Sequence, residues 1–249
     1  MKAKILILTI ILILGCVLLW YRFPLLGEEM NKQTMYVGVL DALYGNSSDS
    51  IAHAMWIDDD SGEGIFDVKR IADELGIQPV FAVIADKMNP IVADSLVSWQ
   101  KRGTGIVIHG LRHERWKDWN THQVENDIIK SYERLYQLGF DTTRVIKYVI
   151  PPYGCNTYAI RQAICRQGSQ MISGASLVNP DRNVFQLGRI AITPNTDADK
   201  IRHLLLKAYK SKSYVIFCTH SSIPSQFSIE KCKEILNTAK EIGFFDDFE

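Results

Sequence analysis

Short apolar runs alternate with longer amphipathic segments along most of the chain. The runs are rich in Val, Ile and Phe and predict buried strands, whereas apolar positions spaced three or four apart predict helices. The predicted strands are Met35–Leu40, Ile51–Ile57, Pro79–Ile84, Thr104–Ile108, Val145–Ile150, Gln186–Ile190 and Ser213–Cys218. The predicted helices are Ile65–Leu75, Val92–Arg102, Gln123–Leu138, Thr157–Gln167, Asp197–Lys210 and Ile229–Ile242.

Glycines directly after four of these helices support their predicted ends. Gly76, Gly103, Gly139 and Gly243 can each take the left-handed conformation that closes a helix. Strands that alternate with helices predict βα units and a mainly parallel sheet. We therefore predict an α/β fold, either an incomplete barrel of the TIM type or an open doubly wound sheet.

The N-terminal segment has a different composition from the rest. Ile5–Tyr21 is almost wholly apolar, and Lys2 and Lys4 precede it. Its length is near the lower limit of about 17 residues for a membrane-spanning helix. The basic residues favour a cytoplasmic N-terminus. We predict an anchor that crosses the cell membrane once and leaves the domain outside the cytoplasm.

Two alternatives share that location. The sequence Ile13-Leu14-Gly15-Cys16 resembles a bacterial lipoprotein box, in which Cys16 would carry the lipid. A cleaved signal peptide is the other alternative. The predicted organisation is therefore an anchor or signal segment over 1–23, a linker over 24–35 and a folded domain over 36–249.

Composition excludes several classes of protein. The chain has 249 residues, is 47% hydrophobic and carries a formal net charge of +0, so it is a folded protein without the basic excess that nucleic acid requires. The five cysteines form no Cys-x-x-Cys pair, which disfavours a zinc ribbon or a thioredoxin-type site. We expect no nucleic-acid partner.

Polar residues follow four of the predicted strands. In parallel α/β folds the active site lies at the carboxyl ends of the strands. Asp58-Asp59-Asp60 follows one strand, and three adjacent carboxylates favour a nearby cation, commonly a metal, although a solvated acidic turn is the alternative. His109 and His113 follow another strand at a spacing that suits a metal, which chance can also produce.

Two further strand ends complete this set. Pro151-Pro152-Tyr153-Gly154 forms a rigid turn that could present a backbone N–H to an oxyanion, or be an ordinary turn. His220 follows the last strand and could act as a general acid or have a structural role. The rings of Trp116 and Trp119 could stack on sugars or pack internally.

The order of these motifs resembles the polysaccharide deacetylases with a NodB homology domain, carbohydrate esterase family 4. The resemblance extends from about Ile51 to Ile242 and includes His109-Gly110-Leu111-Arg112-His113-Glu114. It implies a deformed, incomplete (β/α)7-type TIM-like barrel. It also implies a divalent metal, most often zinc, with cobalt, manganese or nickel as alternatives, and a polysaccharide or oligosaccharide substrate.

The resemblance also implies roles for single residues. Asp58 would be the general base, and Asp59, His109 and His113 would bind the metal. The backbone N–H of Tyr153 would stabilise the oxyanion, and His220 would be the acid. Substrate would contact Pro151, Pro152, Tyr153 and Trp116. The reaction would be hydrolysis of an N- or O-linked acetyl group on a cell-envelope or extracellular polysaccharide.

The sequence departs from the family pattern at three places. Ile150 stands where the family has an arginine that orients the base, and Arg112, Lys147 and Arg189 are the cations that could compensate. Asp60 replaces a glycine, and the family's Asp/Trp motif is not recognisable between residues 175 and 190. The alternatives are therefore a carbohydrate-binding or envelope-assembly protein with impaired catalysis, or a hydrolase of a different amide.

Overall fold

The computed structural model describes residues 52–176, 178–180 and 185–245. The predicted segments 1–23 and 24–35 and the predicted strand Met35–Leu40 lie outside these residues. Among the described residues, no helix combines the length and apolar character needed to cross a membrane.

The described residues contain eight strands in one parallel sheet. The strands are β1 (His53–Asp58), β2 (Pro79–Val83), β3 (Gly105–Ile108), β4 (Tyr148–Val149), β5 (Gln170–Ile172), β6 (Gln186–Leu187), β7 (Ile190–Ala191) and β8 (Tyr214–Thr219). Their order is β6-β5-β4-β3-β2-β1-β8-β7. Neighbours in the sheet are thus consecutive in sequence except for β1 and β8, the first and last strands, which pair as they do in a closed barrel. The sheet therefore resembles a barrel opened between β6 and β7, whereas a doubly wound sheet reverses its order midway.

The opening of this curled sheet lies within a segment that was predicted as one strand. Gln186–Ile190 divides into β6 and β7, which pair at opposite edges of the sheet. Only Gly188 and Arg189 separate them, and so short a link spans about 10 Å at most. The sheet must therefore curl until its two edges nearly meet at Arg189.

The prediction missed β5 and overestimated β4. β5 has three residues, and β4 retains only two of the residues predicted in Val145–Ile150. Segments this short have too few positions to show a periodic pattern. They become strands only when they pair with each other, Tyr148 with Gln170 and Val149 with Met171, and that pairing forms only in the folded protein.

Six helices connect the strands within the described residues. They are α1 (Ile65–Leu75), α2 (Pro90–Lys101), α3 (Thr121–Gln137), α4 (Tyr158–Arg166), α5 (Ala198–Lys210) and α6 (Ile229–Ile242). Side chains cap most of their N-termini; Asn120, for example, forms a reciprocal capping box with Gln123. Gly76 and Gly243 end α1 and α6 with φ values of 65° and 102°, as predicted.

The core fills the concave side of the sheet. Every residue of β2 and β8 is buried, which is typical of parallel strands covered on both faces. A central apolar cluster lies between the strands and contains Ile57, Val80, Ala82, Val107, Ile150, Ile172, Leu187, Tyr214 and Ile216. The carboxyl ends of the strands all lie at the same end of the sheet, and the polar motifs meet there.

Candidate functional site

Strand register brings the predicted site residues together at the carboxyl ends of the strands. Asp58 is the last residue of β1 and pairs with Thr219, the last residue of β8. His109 follows β3 directly, and its backbone N–H donates to the carbonyl of Val83 at the end of β2. Ile150 follows β4, and its N–H donates to the carbonyl of Ile108.

The two histidines of the His109–His113 loop face each other. Their Nε2 atoms lie 3.1 Å apart. Nδ1 of His109 lies 2.8 Å from the carbonyl oxygen of Ile150 and can only donate to it, so the lone pair of a neutral ring stays on Nε2. Such a bond to the far nitrogen usually orients a metal-binding histidine. The carbonyl of Ile150 therefore fixes the ring orientation of His109.

Close packing sets the shape of this loop. Gly110 has a φ of 83°, and a Cβ there would lie 3.1 Å from Pro152 and 3.3 Å from Trp116. Only glycine satisfies both constraints. The carboxylate of Asp127 accepts a hydrogen bond from the N–H of Leu111 at 2.8 Å. Packing against Pro152 and Trp116 and the hydrogen bond to Asp127 thus fix the conformation of the loop.

Burial places Trp116 in a structural role. Its side chain is fully buried and packs within the protein, and the contact of its ring with substrate stays a prediction. It stacks on Trp119 with ring centroids 6.2 Å apart. Trp119 is partly exposed and lines an open cavity of about 370 Å³.

Asp59 is the centre of the site. Its Oδ2 lies 3.8 Å from Nε2 of His109 and 3.9 Å from Nε2 of His220, and it accepts a hydrogen bond from Arg189. Its Oδ1 is buried without a hydrogen-bond partner among the described residues. Burial opposes ionisation, but Arg189, His109 and His220 outweigh it and hold the pKa of Asp59 below its ordinary value.

Of the three cations considered in place of the family's arginine, Arg189 pairs with Asp59, the neighbour of the predicted base Asp58. Arg112 instead pairs with Asp86 at 3.1 Å, and the ammonium of Lys147 lies over the ring of Tyr132. The side chain of Arg189 is only 10% exposed. Burial disfavours its charge, but the carboxylate of Asp59 outweighs that effect and raises the pKa of Arg189.

Asp58 is enclosed by β8 and the loop that follows it. Its Oδ1 accepts hydrogen bonds from Thr219 Oγ1 (2.8 Å) and the N–H of Ser221 (3.1 Å), and its Oδ2 accepts one from Ser221 Oγ (2.6 Å). The side chain is fully buried. Burial raises the pKa of Asp58 to about 7, even though these donors act in the opposite direction.

Asp60 connects the two loops at the ends of β1 and β8. Its Oδ1 accepts hydrogen bonds from the N–H groups of Ser61 (2.7 Å) and Gly62 (3.0 Å), and its Oδ2 accepts one from the N–H of Ser222 (2.7 Å). The third aspartate, at the position of the family's glycine, is therefore a structural link between loops.

His220 belongs to a second cluster around Asp59. Ligand atoms of Asp59, Cys218 and His220 all lie within 4.8 Å of one another. Burial lowers the pKa of His220, so its ring is neutral near neutral pH. Cys218 is a free, buried thiol whose pKa is raised, chiefly by burial.

The Pro-Pro-Tyr turn approaches the site through its tyrosine. Pro151 and Pro152 are buried, and the contact with substrate predicted for them stays a prediction. Tyr153 has a left-handed φ of 57°, and its side chain is 63% exposed. Its ring centroid lies 4.5 Å from that of His113, which places the exposed ring at the rim of the site.

The donor set around Asp59 suits a divalent cation. The buried Oδ1 of Asp59 has no hydrogen-bond partner among the described residues. Nε2 of His109 lies 3.8 Å from Oδ2 of Asp59, and Nε2 of His113 lies 3.1 Å from Nε2 of His109. Burial lowers the pKa of His109, and burial followed by the charge of His109 lowers that of His113 to about 4. Both rings are therefore neutral near neutral pH, as metal ligation requires. One carboxylate with two imidazoles is a donor set that zinc accepts.

Some contacts of the site could not be predicted from the sequence. Thr219 and Ser221 are the sequence neighbours of His220, which indicates that they lie near the site, but their hydrogen bonds to Asp58 depend on β1–β8 pairing. Arg189 was one of three candidate cations, and only closure of the sheet distinguishes it from the others.

Solved structures support the fold. The Xyl-CE4 domain of a multidomain xylanase from the hindgut metagenome of Trinervitermes trinervoides is 17% identical, with a TM-score of 0.57 over 79% of this chain and 86% of that one. The chitin deacetylase of Colletotrichum lindemuthianum is 12% identical, with a TM-score of 0.58 over 78% and 84%.

A third neighbour is a CE4 family pseudoenzyme from Bacillus anthracis. It is 12% identical, with a TM-score of 0.53 over 78% of this chain and 63% of that one. At these identities the three structures establish the fold alone. No curated protein sequence matches this chain.

The sequence comparison is more specific about descent. The profile of the family described as polysaccharide deacetylase matches residues 47–172, which is half of the chain. The matched region contains the three aspartates, both histidines of the site loop and the Pro-Pro-Tyr turn. The chain belongs to the polysaccharide deacetylase family, whose members are hydrolases of acetyl amide or ester bonds.

Proposed function

We propose that this protein is a metal-dependent hydrolase that removes N- or O-linked acetyl groups from a cell-envelope or extracellular polysaccharide. The observation that carries the proposal is the approach of His109 and His220 to the buried carboxylate of Asp59, with His113 beside His109. Family membership supports the reaction class. The apolar segment Ile5–Tyr21 supports an anchor in the cell membrane with the domain outside the cytoplasm, with a lipoprotein attached through Cys16 as the alternative.

Asp59, His109 and His113 would hold the metal. Zinc is the first choice because neutral imidazoles and a carboxylate suit it, and cobalt, manganese and nickel are alternatives. When bound, such an ion makes water acidic enough to attack near neutral pH and polarises the acetyl carbonyl. The bond between His109 and the carbonyl of Ile150 keeps Nε2 directed at Asp59.

The other residues would move protons and bind charge. A carboxyl with a pKa near 7, as in Asp58, is suited to accept a proton near neutral pH. The neutral ring of His220 would first gain a proton and then deliver it to the leaving group. The N–H of Tyr153, held in a tight turn, would donate to the oxyanion.

An acetate-release screen over acetylated glycans, run with zinc, cobalt and manganese, tests this proposal. His109→Ala and His113→Ala should each lose bound metal and reduce acetate release by about 100-fold or more. The matched control is His122→Ala, because that histidine is 87% exposed in its side chain. Asp58→Asn should abolish acetate release with metal retained. Acetate release that is unchanged in His109→Ala would refute the metal-dependent mechanism.

A second function has specific support. Ile150 replaces the family's arginine, the carboxylate of Asp58 is enclosed by three donors, and one structural neighbour is a pseudoenzyme. These features favour a protein that binds carbohydrate on this fold with impaired catalysis. Glycan binding by a purified protein that releases no acetate with any of the three metals would select this function. Release of a different acyl group from an amide would instead indicate the third alternative, a related amide hydrolase.

A further inference from the structure

The cavity lined by Trp119 shares a loop with the candidate metal site. Leu111, Arg112 and Glu114 form part of its wall, and they belong to the His109–His113 loop or directly follow it. The volume of about 370 Å³ is within the range of small-molecule sites in proteins. The proposed function uses none of the side chains that line this cavity.

Trp119 supplies a fixed apolar surface at the cavity. Its ring stacks on that of Trp116, with centroids 6.2 Å apart and planes inclined by 26°, and Trp116 is fully buried. Trp119 itself is only partly buried and lines the cavity, so part of its ring remains accessible. The C–H face of a sugar ring is apolar and packs well on an aromatic ring that is held in this way. The tryptophan therefore suits a sugar as its partner.

Asp127 adds a buried acceptor to the same cavity. Its side chain lines the cavity, and the residue is only 7% exposed. Its Oδ1 accepts the N–H of Leu111 at 2.8 Å, whereas its Oδ2 has no hydrogen bond to any described residue. The carboxylate can therefore accept a further hydrogen bond from a hydroxyl group in the cavity. Gln123 and Asn126, both exposed on α3, supply amide donors beside it.

The charges around the cavity favour a neutral ligand. Two basic side chains, Arg112 and Lys130, and two acidic ones, Glu114 and Asp127, line it. Arg112 also pairs at 3.1 Å with Asp86, which lies outside the lining. A balanced lining of this kind does not attract a polyanion. An aromatic ring, amides and a carboxylate without net positive charge instead match a neutral ligand that is rich in hydroxyl groups.

We propose that this cavity is a subsite that binds one sugar unit of the polysaccharide away from the position of acetyl removal, with Trp119 stacking on the sugar and Asp127 accepting a hydrogen bond from its hydroxyl. The inference rests on the proposed function, because it assumes that a polysaccharide substrate passes the His109–His113 loop. A long glycan can then occupy both positions, whereas a small acetate ester occupies only the catalytic one. The subsite would therefore favour long substrates.

Substrate length provides the readout. KM and kcat are measured for full-length wild type, Trp119→Ala, Trp119→Phe and Tyr136→Ala on para-nitrophenyl acetate and on two hexamers, that of N-acetylglucosamine and acetylated xylohexaose. Trp119→Ala should raise the ratio of the KM for a hydrolysed hexamer to the KM for the small ester about tenfold, mainly through KM rather than kcat. Trp119→Phe keeps a stacking ring and should raise the ratio less. Tyr136→Ala removes a 72% exposed ring elsewhere on α3 and should leave the ratio unchanged.

The inference is overturned if folded Trp119→Ala keeps the KM ratio of wild type. If that variant does not fold, or if wild type releases no acetate, binding is followed through the indole N–H signal of Trp119 in the NMR spectrum of wild type, identified by its loss in Trp119→Phe. Either hexamer should shift this signal, and a signal that neither hexamer shifts also overturns the inference. A shift without acetate release would support the subsite while the proposed hydrolysis fails. Acetate release with an unchanged KM ratio would support the hydrolysis while the subsite fails.

Discussion

Replacing Asp60 by glycine, the residue found at this position in the family, should destabilise this protein. Asp60 accepts hydrogen bonds from three backbone N–H groups, those of Ser61, Gly62 and Ser222. The first two bonds stabilise the local turn after β1. The third joins the β1 loop to the β8 loop across 162 positions of sequence. Glycine has no side chain to accept any of them.

The size of the effect follows from the exposure of these groups. A hydrogen bond to a charged acceptor contributes about 1.5–3 kcal/mol when it is buried. Asp60 is only half-buried and Ser222 is exposed, so water can replace part of each bond. Adding the greater chain entropy of glycine, we expect Asp60→Gly to lower the free energy of unfolding by about 2–3 kcal/mol. Asp60→Asn keeps the acceptor for the local turn, so its cost should be about 1 kcal/mol.

This difference is measured by urea denaturation of the purified proteins: wild type, both Asp60 variants and Asp118→Ala. Asp118 is an exposed aspartate in the turn Trp116–Asp118 and serves as the matched control, with an expected change below about 0.5 kcal/mol. The reasoning is refuted if Asp60→Gly is as stable as wild type or more stable. That result would mean that removal of repulsion among the three aspartates outweighs the lost hydrogen bonds.

Three further predictions concern the supports of the site. Gly64→Ala would place a Cβ 2.4 Å from the backbone of Ser221, so it should cost about 1–3 kcal/mol in urea denaturation and reduce acetate release. Trp116→Ala removes the fully buried ring beneath Gly110 and should cost about 3–5 kcal/mol, whereas Trp116→Phe should cost less. In metal-free protein the pKa of His113 falls from 6.5 unfolded to about 4 folded, so the unfolded chain binds more protons between these values. Wild type should therefore lose stability relative to His113→Asn as pH drops from about 6.5 to about 4, whereas the opposite effect of the raised pKa of Asp58 is present in both proteins and cancels in the comparison. A difference between their urea midpoints that does not change with pH would contradict the assignment.

Much of the fold could be read from local pattern. The bounds of all six helices agree with the predicted helices within two residues, because amphipathic periodicity and terminal glycines act within one segment. The barrel-like strand order also agrees with the prediction from alternating elements. The weakest predictions were the strands of two or three residues, whose existence depends on a partner strand rather than on their own sequence.

The order of strands and helices along the chain indicates which polar residues meet, because the carboxyl ends of parallel strands lie together wherever the intervening helices are long enough to return the chain. This pattern is enough to bring Asp58, Asp59, His109 and His220 together. The contacts that each of them makes depend instead on packing between distant segments. Arg189 rather than Arg112 reaches Asp59, over 130 positions of sequence, because the curled sheet brings its two edges together at that residue. Asp60 became a link between loops and Trp116 a buried support because hydrogen bonds and packing between distant segments exist only after the sheet has curled.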